Sequence, residues 1–112
     1  MAKVIIQECR EYELNALMQK INDGIERLGG WDLFVNPGDK VLLKANLIGP
    51  KPSESAAVTH SEFVRAMIRI LKKRGCEVWI GDSSGGAIAG IAPTARSLKV
   101  AGYERVAEEE GA

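Results

Sequence analysis

Between Lys40 and His60 the sequence changes character twice, and no other stretch constrains the fold as much. Val41-Leu42-Leu43 is a short apolar run suited to a buried strand. It delivers Lys44 and Asn46 into a loop, Gly49 to Val58, whose Pro50 and Pro52 can continue neither a helix nor a central strand. At Thr59-His60 the pattern turns helical. Strand, polar tip, loop and helix N-terminus in that order is how α/β proteins build ligand sites at the carboxyl ends of their strands.

The flanking sequence repeats the alternation. Val4-Ile5-Ile6 reads as a short buried strand. From about Tyr12 to Leu28, the residues Leu14, Leu17, Met18, Ile21, Ile25 and Leu28 recur at three and four, which is one face of a helix. Gly29-Gly30 ends it. Trp31, Leu33 and Phe34 are expected to cover the core, and Asn36-Pro37-Gly38-Asp39 is a turn that launches the strand Lys40 to Lys44. The next helix is expected to start at Thr59, which forms a capping box with Glu62. Phe63, Val64, Met67, Ile68, Ile70 and Leu71 give it a broad apolar face, and Gly75 caps it after Lys72-Lys73-Arg74.

A third strand, Glu77 to Gly81, empties into Asp82-Ser83-Ser84-Gly85-Gly86. Thr94 caps a short helix through Leu98, and a last helix runs from Tyr103 to Glu110. Glu108-Glu109-Glu110 place negative charge at the wrong end of that helix dipole, so it is expected to fray or to lead on to further chain. The order β-α-β-α-β-α defines the α/β class, with a small parallel or mixed sheet in two or three layers.

A chain of 112 residues reads as one domain, spanning 1–112, with enough length for one core. Formal net charge is zero, so no basic field draws nucleic acid or an anionic membrane. Lys51 and Lys72-Lys73-Arg74 are local clusters of solvated surface. Two cysteines, Cys9 and Cys76, have neither C-x-x-C nor zinc or iron–sulfur spacing, which suits buried or edge thiols in a reducing compartment. Met1-Ala2-Lys3 leads into a strand without the long apolar region of a signal peptide, and no apolar run has membrane-spanning length. The expectation is a cytoplasmic protein.

If the strands are parallel, Lys44, Asn46, Thr59, His60, Asp82 and Ser83 share one rim and form a ligand-binding set. Lys44 offers a point charge to a phosphate or carboxylate, against the plainer reading of a lysine snorkelling from a strand end. Asn46 either binds ligand or organises the turn. Thr59 is first of all a helix cap. His60 and Asp82 are the candidate catalytic residues, His60 because imidazole titrates near neutrality, Asp82 because a carboxylate there can orient a hydroxyl, metal or water. The plainer readings are a surface histidine and an Asx-turn. Ser83-Ser84-Gly85-Gly86 can wrap an anion through its N–H groups, although it fits neither the P-loop nor the dinucleotide fingerprint. Two candidate ligands, His60 and Asp82, do not make a metal site, and none is assigned.

Pro37-Gly38-Asp39-Lys40-Val41-Leu42-Leu43-Lys44-Ala45-Asn46-Leu47, then Thr59-His60 with Phe63-Val64-Arg65-Ala66, then Gly81-Asp82-Ser83-Ser84-Gly85-Gly86 resemble three ordered motifs of domain-of-unknown-function family 362. Ala101-Gly102-Tyr103 and Ala107 resemble the segment that follows. The resemblance implies the N-terminal part of a longer protein, many of whose members carry a ferredoxin-like iron–sulfur segment with clustered cysteines. This chain has no such segment, so no cofactor is placed on its residues and a cluster is expected only in a longer form. Three functions follow as expectations: a ligand-binding part of a larger protein acting on a small anion, with catalysis as an open addition; part of an iron–sulfur redox protein whose cluster lies outside this chain; or an interaction module whose exposed sheet edge pairs into a homo-oligomer.

Overall fold

The computed structural model describes residues 1–83 and 94–112. Ser84-Gly85-Gly86, expected to wrap an anion, lies outside them. In chain order the elements are α1 (Leu14–Arg27), β1 (Lys40–Leu43), α2 (Ser61–Lys73), β2 (Glu77–Ile80), α3 (Thr94–Val100) and α4 (Tyr103–Glu110). Short 3-10 turns occupy Trp31–Leu33 and Ser53–Ser55. This is the expected α/β class, with a smaller sheet than the alternation implied.

β1 and β2 pair in parallel, with Lys40 opposite Glu77, Val41 opposite Val78, Leu42 opposite Trp79 and Leu43 opposite Ile80. The period of two sends Val41, Leu43, Val78 and Ile80 toward the helices. Leu42 and Trp79, on the other face, are 63% and 57% exposed. The core sits between the helix-facing side of the sheet and α2, with Val64, Ile68 and Leu71 of α2, Leu47 and Val58 of the loop, and Tyr103 and Val106 of α4 all buried. α1 packs on α2 rather than on the sheet, and α4 packs on α2 and β2.

The first expected strand does not form. Residues 1–13 carry neither helix nor strand, and Val4 and Ile6 are exposed. The segment lies against α1 through side chains: Gln7 Nε2 donates to the Lys20 carbonyl at 2.7 Å, and Lys3 Nζ bonds the Arg27 carbonyl. Gly24 permits this approach, since a Cβ there would meet Gln7 Nε2 at 2.8 Å. A short apolar run becomes a strand only beside another strand's edge, and here it faces a helix.

Three further expectations shift. Trp31 is buried, its Nε1 donating to Asn22 Oδ1 at 2.8 Å, but Leu33 and Phe34 point to solvent from the same turn. α1 is capped by Glu13, whose carboxylate accepts the Asn15 and Ala16 N–H groups; those bonds lower its pKa. α2 begins at Ser61, not Thr59: His60 is the cap, its Nδ1 accepting the Glu62 N–H at 3.1 Å. Arg74 ends α2, and Gly75 follows at φ 83°, the left-handed conformation that favours glycine after a helix.

The end of α4 is held rather than frayed. Arg65 reaches Glu110 at 2.7 Å and Glu109 at 2.6 Å, and Arg69 reaches Glu110 at 2.8 Å. Lys72 Nζ donates to the Glu110 and Gly111 carbonyls at 2.8 and 2.9 Å. The glutamates that oppose their own helix dipole are compensated by cations that α2 presents at its next turns.

Candidate ligand-binding rim

Parallel pairing puts the ends of β1 and β2 side by side, and the residues just beyond them meet. Lys44 Nζ lies 2.7 Å from Asp82 Oδ1. Asp82 Oδ2 accepts the Leu47 N–H at 3.0 Å, which anchors the start of the long loop to the end of the neighbouring strand. The two partners differ in exposure: the Lys44 side chain is 74% exposed and that of Asp82 only 6%. The carboxylate is thus a fixed element and the ammonium a solvent-facing one. The Lys44 ammonium holds the Asp82 carboxyl below its usual pKa, helped by the Leu47 N–H and less by the Ser83 N–H, with desolvation working against them. Ser83 itself is exposed.

The loop is fastened on its other side by Asn46, whose Nδ2 donates to the Ala57 carbonyl at 3.0 Å. The Asn46 amide therefore organises the loop, and its second N–H and its oxygen are left for other partners. Beneath it, Tyr103 from the first turn of α4 brings its hydroxyl to the Thr59 carbonyl at 2.7 Å and to the Asn46 carbonyl at 3.1 Å. Tyr103 is 1% exposed, and its burial raises the phenol pKa. Sequence reasoning did not assign Tyr103 a role. A tyrosine opening a helix after a glycine reads as core, and only the meeting of α4 with the loop reveals what its hydroxyl bonds.

Thr59 and His60 bound the rim on the α2 side, but the helix N-terminus has few donors left. Ser53 Oγ accepts the Ser61 N–H at 3.0 Å, His60 Nδ1 accepts that of Glu62, and the His60 carbonyl accepts those of Phe63 and Val64. With Nδ1 occupied as an acceptor, a neutral His60 carries its proton on Nε2 and offers a donor rather than a base. Its ring stacks on Tyr12 at a centroid distance of 3.8 Å and an interplanar angle of 11°. No hydrogen bond or ion pair joins His60 to Asp82 among the described residues. The structure brings Lys44 to Asp82, and Asn46 to Thr59 through Tyr103, while the two candidate catalytic residues stay separate. Among the described residues no group of three or more His, Cys, Asp or Glu could hold a metal ion. Cys9 is exposed and Cys76 buried, and both are free thiols.

The model of the family described as a domain of unknown function (DUF362) matches residues 41–112, a span that includes every residue of the rim. The chain belongs to that family. A DUF362 assignment agrees with the resemblance drawn from the ordered motifs. The chain is also 35% identical over 91 residues to a thylakoid-associated protein of Synechocystis sp., an alignment covering 80% of this chain and 28% of that protein. It thus spans less than a third of the length of that relative. No solved structure matches the chain. Among the described residues no helix is long and apolar enough to cross a membrane.

Proposed function

We propose that the rim at the carboxyl ends of β1 and β2 binds a small anion, as part of a larger cytoplasmic protein. The observation that carries this reading is the Lys44–Asp82 pair. A lysine ammonium has three donors, and Asp82 engages it from one side while the rest of the group faces solvent. A buried carboxylate that orients an exposed ammonium is a way to present a cation at a fixed point. Lys44 is then the contact for a phosphate or carboxylate oxygen. Asp82 is its positioning residue, and Asn46 holds the loop beside it. Ser83 adds an exposed hydroxyl, and Thr59 and His60 close the α2 side, His60 through its Nε2 donor.

The reading assigns this rim neither nucleic acid nor membrane: the exposed cations Lys44 and Arg69 are already paired with carboxylates. Any iron–sulfur cluster of longer family members is placed outside these residues, because one free thiol is exposed on the N-terminal segment and the other is buried beside β2. Titration of the labelled chain with inorganic phosphate, ADP and succinate tests the rim. Amide shifts are expected at Lys44, Asn46 and Ser83 with at least one of these anions, and they are lost in Lys44→Met. Silence at all six rim residues with every anion would refute the reading. Cell fractionation tests the compartment, and recovery in the membrane pellet would reverse it.

A further inference from the structure

Two unpaired backbone stretches border the same apolar floor. On one side is the segment Val4–Gln7. Nothing in residues 1–12 makes a backbone–backbone hydrogen bond with another described residue. On the other side is the free edge of β1. The Asp39 and Leu43 carbonyls accept the Glu77 and Gly81 N–H groups, so the alternation of a parallel ladder turns the peptide groups of Lys40 and Leu42 away from β2. Among the described residues β1 has no second neighbour. Phe63 and Met67 of α2 lie between the two. They line a groove of about 450 Å³ with Val4, Ile5 and Gln7, and an adjoining one of about 180 Å³ with Leu43, Lys44 and Ala45. Phe63 is 37% exposed there, although it belongs to the apolar face of α2.

We infer that this groove takes a β-strand, and that the strand is Val4–Gln7 of a second copy of the chain. The segment has what the groove requires. It is apolar and β-branched at Val4, Ile5 and Ile6, its peptide groups are unspent, and Val4 and Ile6 are 76% and 88% exposed. Reciprocal insertion satisfies both copies at once. Each N-terminal segment enters between the partner's β1 and the partner's own N-terminal segment, and the two segments pair antiparallel about a two-fold axis. With Ile5 on that axis, Val4 of one copy faces Ile6 of the other, and Lys3 faces Gln7, so no like charges oppose each other. Side chains opposite one another in this register share a face, which keeps Ile5 of both copies directed at the Phe63 and Met67 floor.

Sedimentation of the chain from micromolar to near-millimolar concentration tests the inference. A reversible dimer is expected for the natural chain, and a monomer at every concentration for Ile6→Pro. Proline removes an N–H that the isolated copy does not use, so circular dichroism and thermal unfolding of the dilute variant should match the natural chain. Hydrogen exchange supplies a readout without any substitution: amides of Val4–Gln7, Lys40 and Leu42 should gain protection as concentration rises. A natural chain that is monomeric throughout overturns the proposal. So does a dimer that survives Ile6→Pro, or one that forms without protecting those amides. A dimer lost instead in Trp79→Lys would place the contact on the open sheet face and likewise overturn it.

Discussion

Arg65 on α2 and Glu110 at the end of α4 are joined at 2.7 Å, each with a side chain only 11% exposed. The pair locks together two helices that lie far apart in sequence. Burial works against the Arg65 charge, but Glu110, Glu109 and Glu62 outweigh it and raise its pKa. Removing the guanidinium leaves two carboxylates at a helix end that disfavours them. Arg65→Met is therefore expected to destabilise the chain by about 2 kcal/mol, the scale of hydrogen bonds to charged groups. Arg69→Met, whose side chain is 44% exposed, should cost far less. Urea unfolding of both variants checks the ranking; equal losses would contradict it.

Acid should weaken the fold through carboxylates with depressed pKa values, Glu110 and Asp82 among them. Arg69, opposed by desolvation and aided by Arg65, lowers the Glu110 pKa, and Lys44 lowers that of Asp82. A depressed folded pKa means that the unfolded chain binds the proton more readily. The stabilisation is fully present above the ordinary carboxylate pKa of about 4 and is lost as pH falls through the lower folded values. Melting temperature is expected to be level between neutrality and mild acid and to drop below that range. Glu110→Gln should start lower and show a shallower drop. A variant that parallels the natural chain at every pH would remove Glu110 from the account.

Tyr103→Phe tests the bond that ties α4 to the loop. The substitution keeps the ring in its 1% exposed site but leaves the Thr59 carbonyl without its 2.7 Å donor. A cost of about 1–2 kcal/mol is expected. Faster amide exchange should follow in residues 46–59. Unchanged exchange there would show that the loop is held by Asn46 and Asp82 alone.

Ser53→Ala removes a hydroxyl with two duties. Its Oγ donates to the Ala101 carbonyl at 2.8 Å and accepts the Ser61 N–H at 3.0 Å, both in a buried setting. Two backbone groups lose their partner at once, so the expected loss is about 1–3 kcal/mol. Chemical denaturation measures it, and Ser53→Thr, which can keep both bonds, should recover part of the loss.

Local chemistry sufficed for several elements. The three-and-four spacing in α1 and α2 located both helices to within two residues at either end, and the extent of α4 was read as it stands. Val41-Leu42-Leu43 and Val78 with Ile80 became strands because each has an apolar partner opposite it and α2 beneath it. Val4-Ile5-Ile6 is as apolar but pairs with no strand among the described residues of its own copy. Strand formation depends on a neighbour that the segment's own residues do not supply.

The rim divides in the same way. That Lys44 and Asp82 share one rim was expected from the order of elements on the condition that their strands run parallel, and the pairing meets that condition. The division of labour between them was not legible, since it depends on the Leu47 N–H reaching Asp82 and turning its carboxylate inward. Arg65 in place of solvent around Glu110 was decided by a side chain arriving from α2, whereas His60 in place of Thr59 as the cap is a local bond to the Glu62 N–H. Periodicity, turn chemistry and strand order are properties of neighbouring residues, and the sequence alone determined them. Hydrogen-bond partners and exposure depend on packing between distant segments, so only the tertiary structure decided which rim residue faces solvent and which is held inside.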